Sequence, residues 1–201
     1  MDAIDLIRLQ ITLEYALNDA GRLVPFSGSS EQGLYIVYRY AGGYMPYYNQ
    51  CLSEELCSGL RNLGGEQAFE APQAVLWLIQ KHQSCQFDGS FVSAHLSRHP
   101  GQAEFPRVVR QGDAFVILEG GAPVCRAWSE RSNAHCAEVA VETHPDHQRK
   151  GYARQAVAAW AHDVNQSGRV ALYSYKAENN ASRALARSLK AVWYAEVVCY
   201  S

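Results

Sequence analysis

The chain has 201 residues and a mass of 22.3 kDa, and its 18 Lys and Arg against 20 Asp and Glu leave a net charge of −2. Apolar residues at 48% and charged residues at 19% exclude disorder, collagen-like repeats and coiled coil, and point to a soluble fold of one ordinary domain or two small ones. A slightly acidic balance gives no global attraction for nucleic acid or for an anionic membrane. No run approaches the ~20 apolar residues of a membrane span. The opening MDAIDLIRLQITLEY carries acids where a signal peptide carries positive charge, so a cytoplasmic protein is expected.

Ile4, Ile7, Ile11 and Tyr15 recur at helical spacing, predicting a helix within residues 2–20 that stops at Gly21. The loop PFSGSSEQG leads to a β-rich run, Leu34 to Tyr40, after which AGGYMPYY reads as turn. Ser53 with Leu56, Leu60 and Leu63, then Pro72 with Val75, Leu76 and Ile79, predict two short helices separated by Gly64 and Gly65. From Phe87 to Gln111 only FVSAHL resembles a strand, and PGQAEFP is turn material. Strands are then expected at Ala114–Leu118 and Val124–Trp128, joined by a Gly120-Gly121 hairpin, and at Cys136–Thr143. A helix from about Gly151 to Asn165, a strand Arg169–Tyr175, a helix from about Ala181 to Leu189 and a strand near Tyr194–Tyr200 complete the chain. The expected fold class is α/β, a mixed sheet with helices on both faces. Residues 1–105 would form a helical and strand region and residues 106–201 a core, as two domains or as one continuous domain.

Six scattered cysteines without a CxxC pair suggest free, buried thiols rather than a disulfide scaffold or a zinc ribbon. His95 and His99 stand four apart, but no Glu follows His95 as in HExxH, so no metal site is expected. A GxSxG elbow is absent from the sequence. Six tyrosines crowd into Tyr35 to Tyr48, either as a half-buried strand with its turn or as an aromatic wall for a cationic or aromatic acceptor.

The densest chemistry lies in Val139-Ala-Val-Glu-Thr-His-Pro-Asp-His-Gln-Arg-Lys-Gly-Tyr-Ala153, where a strand feeds a loop that opens an amphipathic helix. The free N–H groups of a first helical turn and the positive end of its dipole make an anion site. Gln148, Arg149, Lys150 and Arg154 add local polar and positive groups, and Gly151 lets the backbone approach a phosphate. Such a site suits a pyrophosphate.

Gln148-Arg-Lys-Gly151-Tyr-Ala153 resembles the Q/R-x-x-G-x-G/A loop of the GNAT superfamily of N-acetyltransferases, and Glu178-Asn179-Asn-Ala-Ser182 has the spacing of its second signature. The similarity spans about Ala114 to Ser201. It implies a mostly antiparallel central sheet with helices on both faces and a splayed parallel strand pair forming the coenzyme A cleft. By this resemblance, main-chain groups of Val141 and Thr143 pair with the pantetheine arm of acetyl-CoA, the co-substrate. The amides of Gln148, Arg149, Lys150, Gly151, Tyr152 and Ala153 bind its pyrophosphate. Asn179, with Ser182 of the same signature, holds the pantetheine from the far side. An N–H near Val141 polarises the thioester carbonyl.

An alkyl amine with pKa near ~10 must lose a proton before it can attack. Period two puts Glu138, Ala140 and Glu142 on one face of the strand and Val139, Val141 and Thr143 on the other. The resemblance implies a glutamate base on this strand, Glu138 first and Glu142 next. A tyrosine expected as acid seven residues after Asn179 is replaced by Ala186, and Lys190 and Ala191 stand where similar proteins have Gly-Phe. Tyr173 is the substitute acid, with Tyr175 or water as alternatives. The reading is an N-acetyltransferase, direct in a ternary complex, acting on a small-molecule or peptide amine. The alternative is a non-catalytic acyl-CoA-binding or regulatory module. A monomer or homodimer is expected, with the apolar Ala195–Tyr200 strand as one that could pair across a two-fold axis.

Overall fold

In the computed structural model, which describes residues 1–27, 32–97 and 105–201, the chain divides into two units: residues 1–92 with 194–201, and residues 93–193. Part of the PFSGSSEQG loop, His99 and most of PGQAEFP lie outside the described residues.

In the first unit, helix α1 covers Ala3–Ile11, with the Asp2 carboxylate accepting from the Asp5 amide at 2.9 Å and Leu6, Ile7 and Ile11 buried. It ends earlier than its periodicity suggests, because Asn18 to Gly21 is turn chemistry that builds a hairpin. Strands β1 (Tyr15–Leu17) and β2 (Leu23–Pro25) pair antiparallel. The Asn18 side chain accepts from the Ala20 and Arg22 amides, both at 3.0 Å, and Gly21 takes φ +71°. Gly21 is thus a hairpin residue, and Tyr15 is a strand residue whose hydroxyl accepts from the Gly33 amide at 2.9 Å.

Strand β3 (Tyr35–Tyr40) pairs antiparallel with β4 (Gly43–Tyr48), from Tyr40↔Gly43 to Tyr35↔Tyr48. The segment expected to be turn is therefore a strand, since only Ala41 and Gly42 are needed to reverse the chain. Helix α2 runs Glu54–Glu70, capped by Ser53, and α3 runs Pro72–Gln80. Gly64, at φ 80° and ψ 157°, breaks the helical path without ending the segment. A Cβ on Gly65 would lie 2.4 Å from that of Tyr44, so glycine there lets helix and strand touch. Tyr35, Tyr38 and Tyr47 are buried, and Tyr35 stacks on Tyr48 with centroids 5.2 Å apart. Half of the six tyrosines are thus core while Tyr44 is exposed, and burial pushes the Tyr35 and Tyr38 phenols well above their usual range.

The last strand, β11 (Val192–Tyr200), pairs antiparallel with β3 from Glu196↔Arg39 to Tyr200↔Tyr35. Beyond its other edge, Gln86 and Ser201 exchange N–H···O bonds of 2.7 and 3.1 Å at the start of β5 (Phe87–His95). Both edges of the final strand are thus occupied within the unit, which removes it as a seam for a two-fold partner.

The second unit begins in β5, where the fully buried Ser93 has a hydroxyl with no hydrogen-bond partner among the described residues. A buried unpaired hydroxyl destabilises a fold by about 1–3 kcal/mol. Ser93→Ala is expected to raise the unfolding free energy by about 1 kcal/mol in a urea titration.

Strands β6 (Val108–Gln111), β7 (Ala114–Glu119), β8 (Ala122–Ser132) and β9 (Cys136–Thr143) form an antiparallel meander. Strand β10 (Val170–Lys176) joins β9 in parallel, and the Leu96 amide donates to the Ala171 carbonyl at 2.8 Å. Helices α4 (Tyr152–Gln166) and α5 (Asn180–Ser188) complete the unit. Val157, Trp160, Ala161 and Val164 of α4 pack on Phe115, Ile117, Ala127, Ala137 and Val139. The Trp160 indole donates to Ser129 Oγ at 3.0 Å. The fold class is the expected mixed α/β arrangement, mostly antiparallel with one splayed parallel pair.

Helix α5 ends with the Lys190 amide donating to the Arg187 carbonyl and the Ala191 amide to the Ala186 carbonyl, both at 3.0 Å. This is a Schellman motif, whose left-handed position suits glycine, yet Lys190 occupies it at φ 53°. Lys190→Gly is expected to raise stability by roughly 0.5–1 kcal/mol, the left-handed strain being partly offset by the freer unfolded chain. A thermal melt checks the direction.

Candidate active site

The parallel register of β9 and β10 runs from Val170↔Cys136 to Leu172↔Glu138 and stops there. Beyond it β9 continues to Thr143 and β10 to Lys176. Two strands that stop pairing while both go on must part, so a gap opens in the sheet just past Glu138. Alternation on β9 then assigns its two sides. Val139 and Val141 pack toward α4. Glu138, Ala140 and Glu142 stand opposite Arg131, Trp128 and Arg126 on the other face.

On the α4 side, the chain leaves β9 through a short 3-10 turn, Pro145–His147, and reaches Gly151 at the helix N-terminus. Gly151 sits at φ 77°, and Arg149 also adopts the left-handed region at φ 61°. A non-glycine residue held there is under strain of order 1–3 kcal/mol. The first intrahelical bond, from the Gln155 amide to the Gly151 carbonyl, leaves the amides of Tyr152, Ala153 and Arg154 without helical acceptors.

These amides open on a cavity of about 600 Å³. Val141, Thr143, Gln148, Arg149, Gly151, Tyr152, Ala153 and Ser182, eight of the ten residues expected at the coenzyme, line it. Its wall also includes His147, Arg154, Ala181, Ala184, Leu185 and Ser188, of which the sequence singled out only Arg154 for a phosphate. No side chain from Gly151 intrudes, and two arginines with a helix N-terminus supply positive potential. The donor set fits a pyrophosphate, and the apolar wall fits a slender uncharged arm.

Lys150 and Asn179 do not line the cavity. Lys150 Nζ lies 3.7 Å from Glu119 Oε2 and 3.2 Å from His147 Nδ1. Glu119, at the end of β7, also takes His147 Nδ1 at 2.9 Å and the Tyr152 hydroxyl. One carboxylate therefore ties down three residues of the loop and helix start. Nothing in the sequence marked it, because it is 33 residues from Tyr152. The Asn179 side chain caps α5, its Oδ1 accepting from the Ser182 amide at 3.0 Å.

Glu138 is 3% exposed. Arg131 Nη1 donates to its Oε2 at 3.0 Å, and the Ser174 hydroxyl donates to its Oε1. Glu142 is exposed and paired with Arg126 at 2.9 Å. Tyr173 lies on the α5 side, buried, with its hydroxyl donating to the Ser182 carbonyl at 3.5 Å. Burial raises its pKa, so the phenol stays protonated at neutral pH. Ala186 joins Tyr173 in the same apolar cluster. The two candidate proton-transfer groups thus stand on opposite faces, either side of the gap.

Other residues weighed from the sequence find plainer places. Burial raises the Cys57 and Cys125 thiols and takes Cys85 to about 11, which removes the thiolate character a nucleophile needs. Burial lowers the pKa of His95. Among the described residues no group of three His, Cys, Asp or Glu side chains could hold a metal ion. No described helix is long and apolar enough to cross a membrane.

A sequence model of the GNAT acetyltransferases matches residues 79–192. A GNAT-family acetyltransferase from Colwellia psychrerythraea superposes with a TM-score of 0.50 at 11% identity, covering 100% of this chain and 97% of that one. A structure from Novosphingobium aromaticivorans, assigned to the same family, gives 0.50 at 15% identity over 58% of this chain. The match spans 66% of the Novosphingobium protein, just under two thirds of its length. No protein of curated function matches the sequence.

Proposed function

Because the chain belongs to the GNAT acetyltransferase family, we propose that it moves an acetyl group from acetyl-CoA to a primary amine by direct transfer in a ternary complex. The observation that carries this is the cavity at the start of α4, walled by the loop residues and by α5. The free amides of Tyr152, Ala153 and Arg154, with Arg149 alongside, hold the pyrophosphate. Val141 and Thr143 lie along the pantetheine arm. Asn179 acts on that arm through the α5 terminus it caps. Acetyl-CoA supplies the activated carbonyl.

The gap between β9 and β10 leads the thioester from the α4 face toward the Glu138 face. Glu138 removes the proton that keeps an alkyl ammonium from attacking. An amide near Val141 draws charge onto the thioester oxygen. Tyr173 returns a proton to the departing thiolate on the α5 face. Ala186 supports this last assignment: a small side chain one turn from Ser182 leaves room for the Tyr173 ring to reach α5, where similar proteins place a tyrosine on the helix itself.

Ala186 also favours a second reading, a module that binds acyl-CoA without turnover. Release of free CoA in the presence of amines separates the two. The first test is a thermal melt with acetyl-CoA, which at 100 times its Kd stabilises the fold by about 2.7 kcal/mol, a shift of several degrees for a chain of this size. No shift at saturation overturns both readings.

A further inference from the structure

We propose that Ser174 is the group that meets the acceptor amine and passes its proton to Glu138. The inference rests on the reading of Glu138 as base and deepens it. At 3% exposure, Glu138 is out of reach of an ammonium in solution, so a base in that position needs an intermediary. Ser174 is half-buried on β10, two residues past Leu172, the last residue paired with β9. It therefore stands on the part of the strand that borders the gap. Its hydroxyl donates to Glu138 Oε1, while Arg131 fixes Oε2. With its proton committed to Glu138, the oxygen has lone pairs left for a donor, and an ammonium N–H is such a donor. The opposite order, Ser174 accepting from a protonated Glu138, would leave no carboxylate to receive the proton.

The step balances. The ammonium N–H bond breaks as an O–H bond forms on Ser174, and the original Ser174 proton moves to Glu138. Neutral amine, unchanged serine and a protonated Glu138 result. The amine lone pair then attacks the thioester carbonyl and the C–S bond breaks, giving amide and CoA thiolate. The surplus amine proton leaves to the thiolate through Tyr173 or water.

A structural role for Ser174 predicts equal damage with every nucleophile, whereas a relay matters only where the nucleophile arrives protonated. Propylamine is an ammonium at pH 7, and methoxyamine is already neutral. In Ser174→Ala, acetyl transfer to propylamine is expected to fall about 10- to 100-fold, with transfer to methoxyamine within threefold of wild type. Ser174→Thr, which keeps the hydroxyl, is expected to restore the propylamine rate, and calorimetry should show unchanged acetyl-CoA affinity in both variants. Equal losses with the two nucleophiles, or none with either, overturn the relay. A Glu138→Gln variant with the wild-type propylamine rate overturns the base beneath it. A wild-type protein that binds acetyl-CoA but acetylates neither nucleophile overturns the relay together with the transferase reading.

Discussion

Gly151→Asp is expected to lose measurable acetyl-CoA binding while remaining folded. Gly151 precedes the free amides of α4 at φ 77°, on the wall of the cavity. A carboxylate there takes the position the pyrophosphate would use and satisfies the same helix terminus. That contact favours the helix, so loss of binding would not report unfolding. A unit charge at about 5 Å from a phosphate, with an effective dielectric constant of about 20, opposes binding by about 3 kcal/mol, or roughly two orders of magnitude in Kd. Gly151→Asn is the control, because asparagine tolerates the left-handed region and carries no charge. It should bind within about tenfold of wild type. If the aspartate variant binds within threefold, the phosphate does not sit at this helix.

The second large effect is expected at Glu138. Glu138→Gln keeps the shape and one acceptor oxygen for Arg131 or Ser174 but cannot take up a proton. Removal of a general base typically lowers turnover by about 10²- to 10⁴-fold. The loss should fall on kcat toward alkyl amines, with the KM for acetyl-CoA unchanged. Glu142→Gln is the comparison: its pair with Arg126 is solvent-exposed on both sides and contributes under about 1 kcal/mol. If Glu142→Gln is the damaged enzyme, the base has been assigned to the wrong end of β9.

The β9 span, Cys136–Thr143, was fully legible in the sequence, as were α4 and α5 to within a residue or two. The reason is local: each is periodic, and each is bounded by turn or cap residues such as Asn179. What the sequence hid in the first unit was decided by competition for backbone hydrogen bonds. GYMPYY became a strand because β3 offers it a ladder, and the Asn18 turn ended α1 by giving the backbone another set of bonds. The same division holds at the site. The loop residues were visible because they are consecutive. Arg131 meets Glu138 through a hairpin with an irregular register between Ser129 and Arg131, and Ser174 meets it through a parallel pairing. No spacing rule in one strand could announce either contact.

The Glu119 tether has a consequence for how the free protein is attacked. Arg149 and Lys150 form a basic pair in an exposed loop, a sequence trypsin ordinarily cleaves when about ten residues of chain can be drawn out into its groove. With His147, Lys150 and Tyr152 all anchored to one carboxylate, that extension requires breaking the whole cluster and unwinding the start of α4. The loop should therefore resist limited trypsin digestion even before any coenzyme is added, and Glu119→Ala should open it to cutting after Arg149 or Lys150. Protection that appears only with acetyl-CoA would mean that the ligand, and not the tether, holds the loop closed.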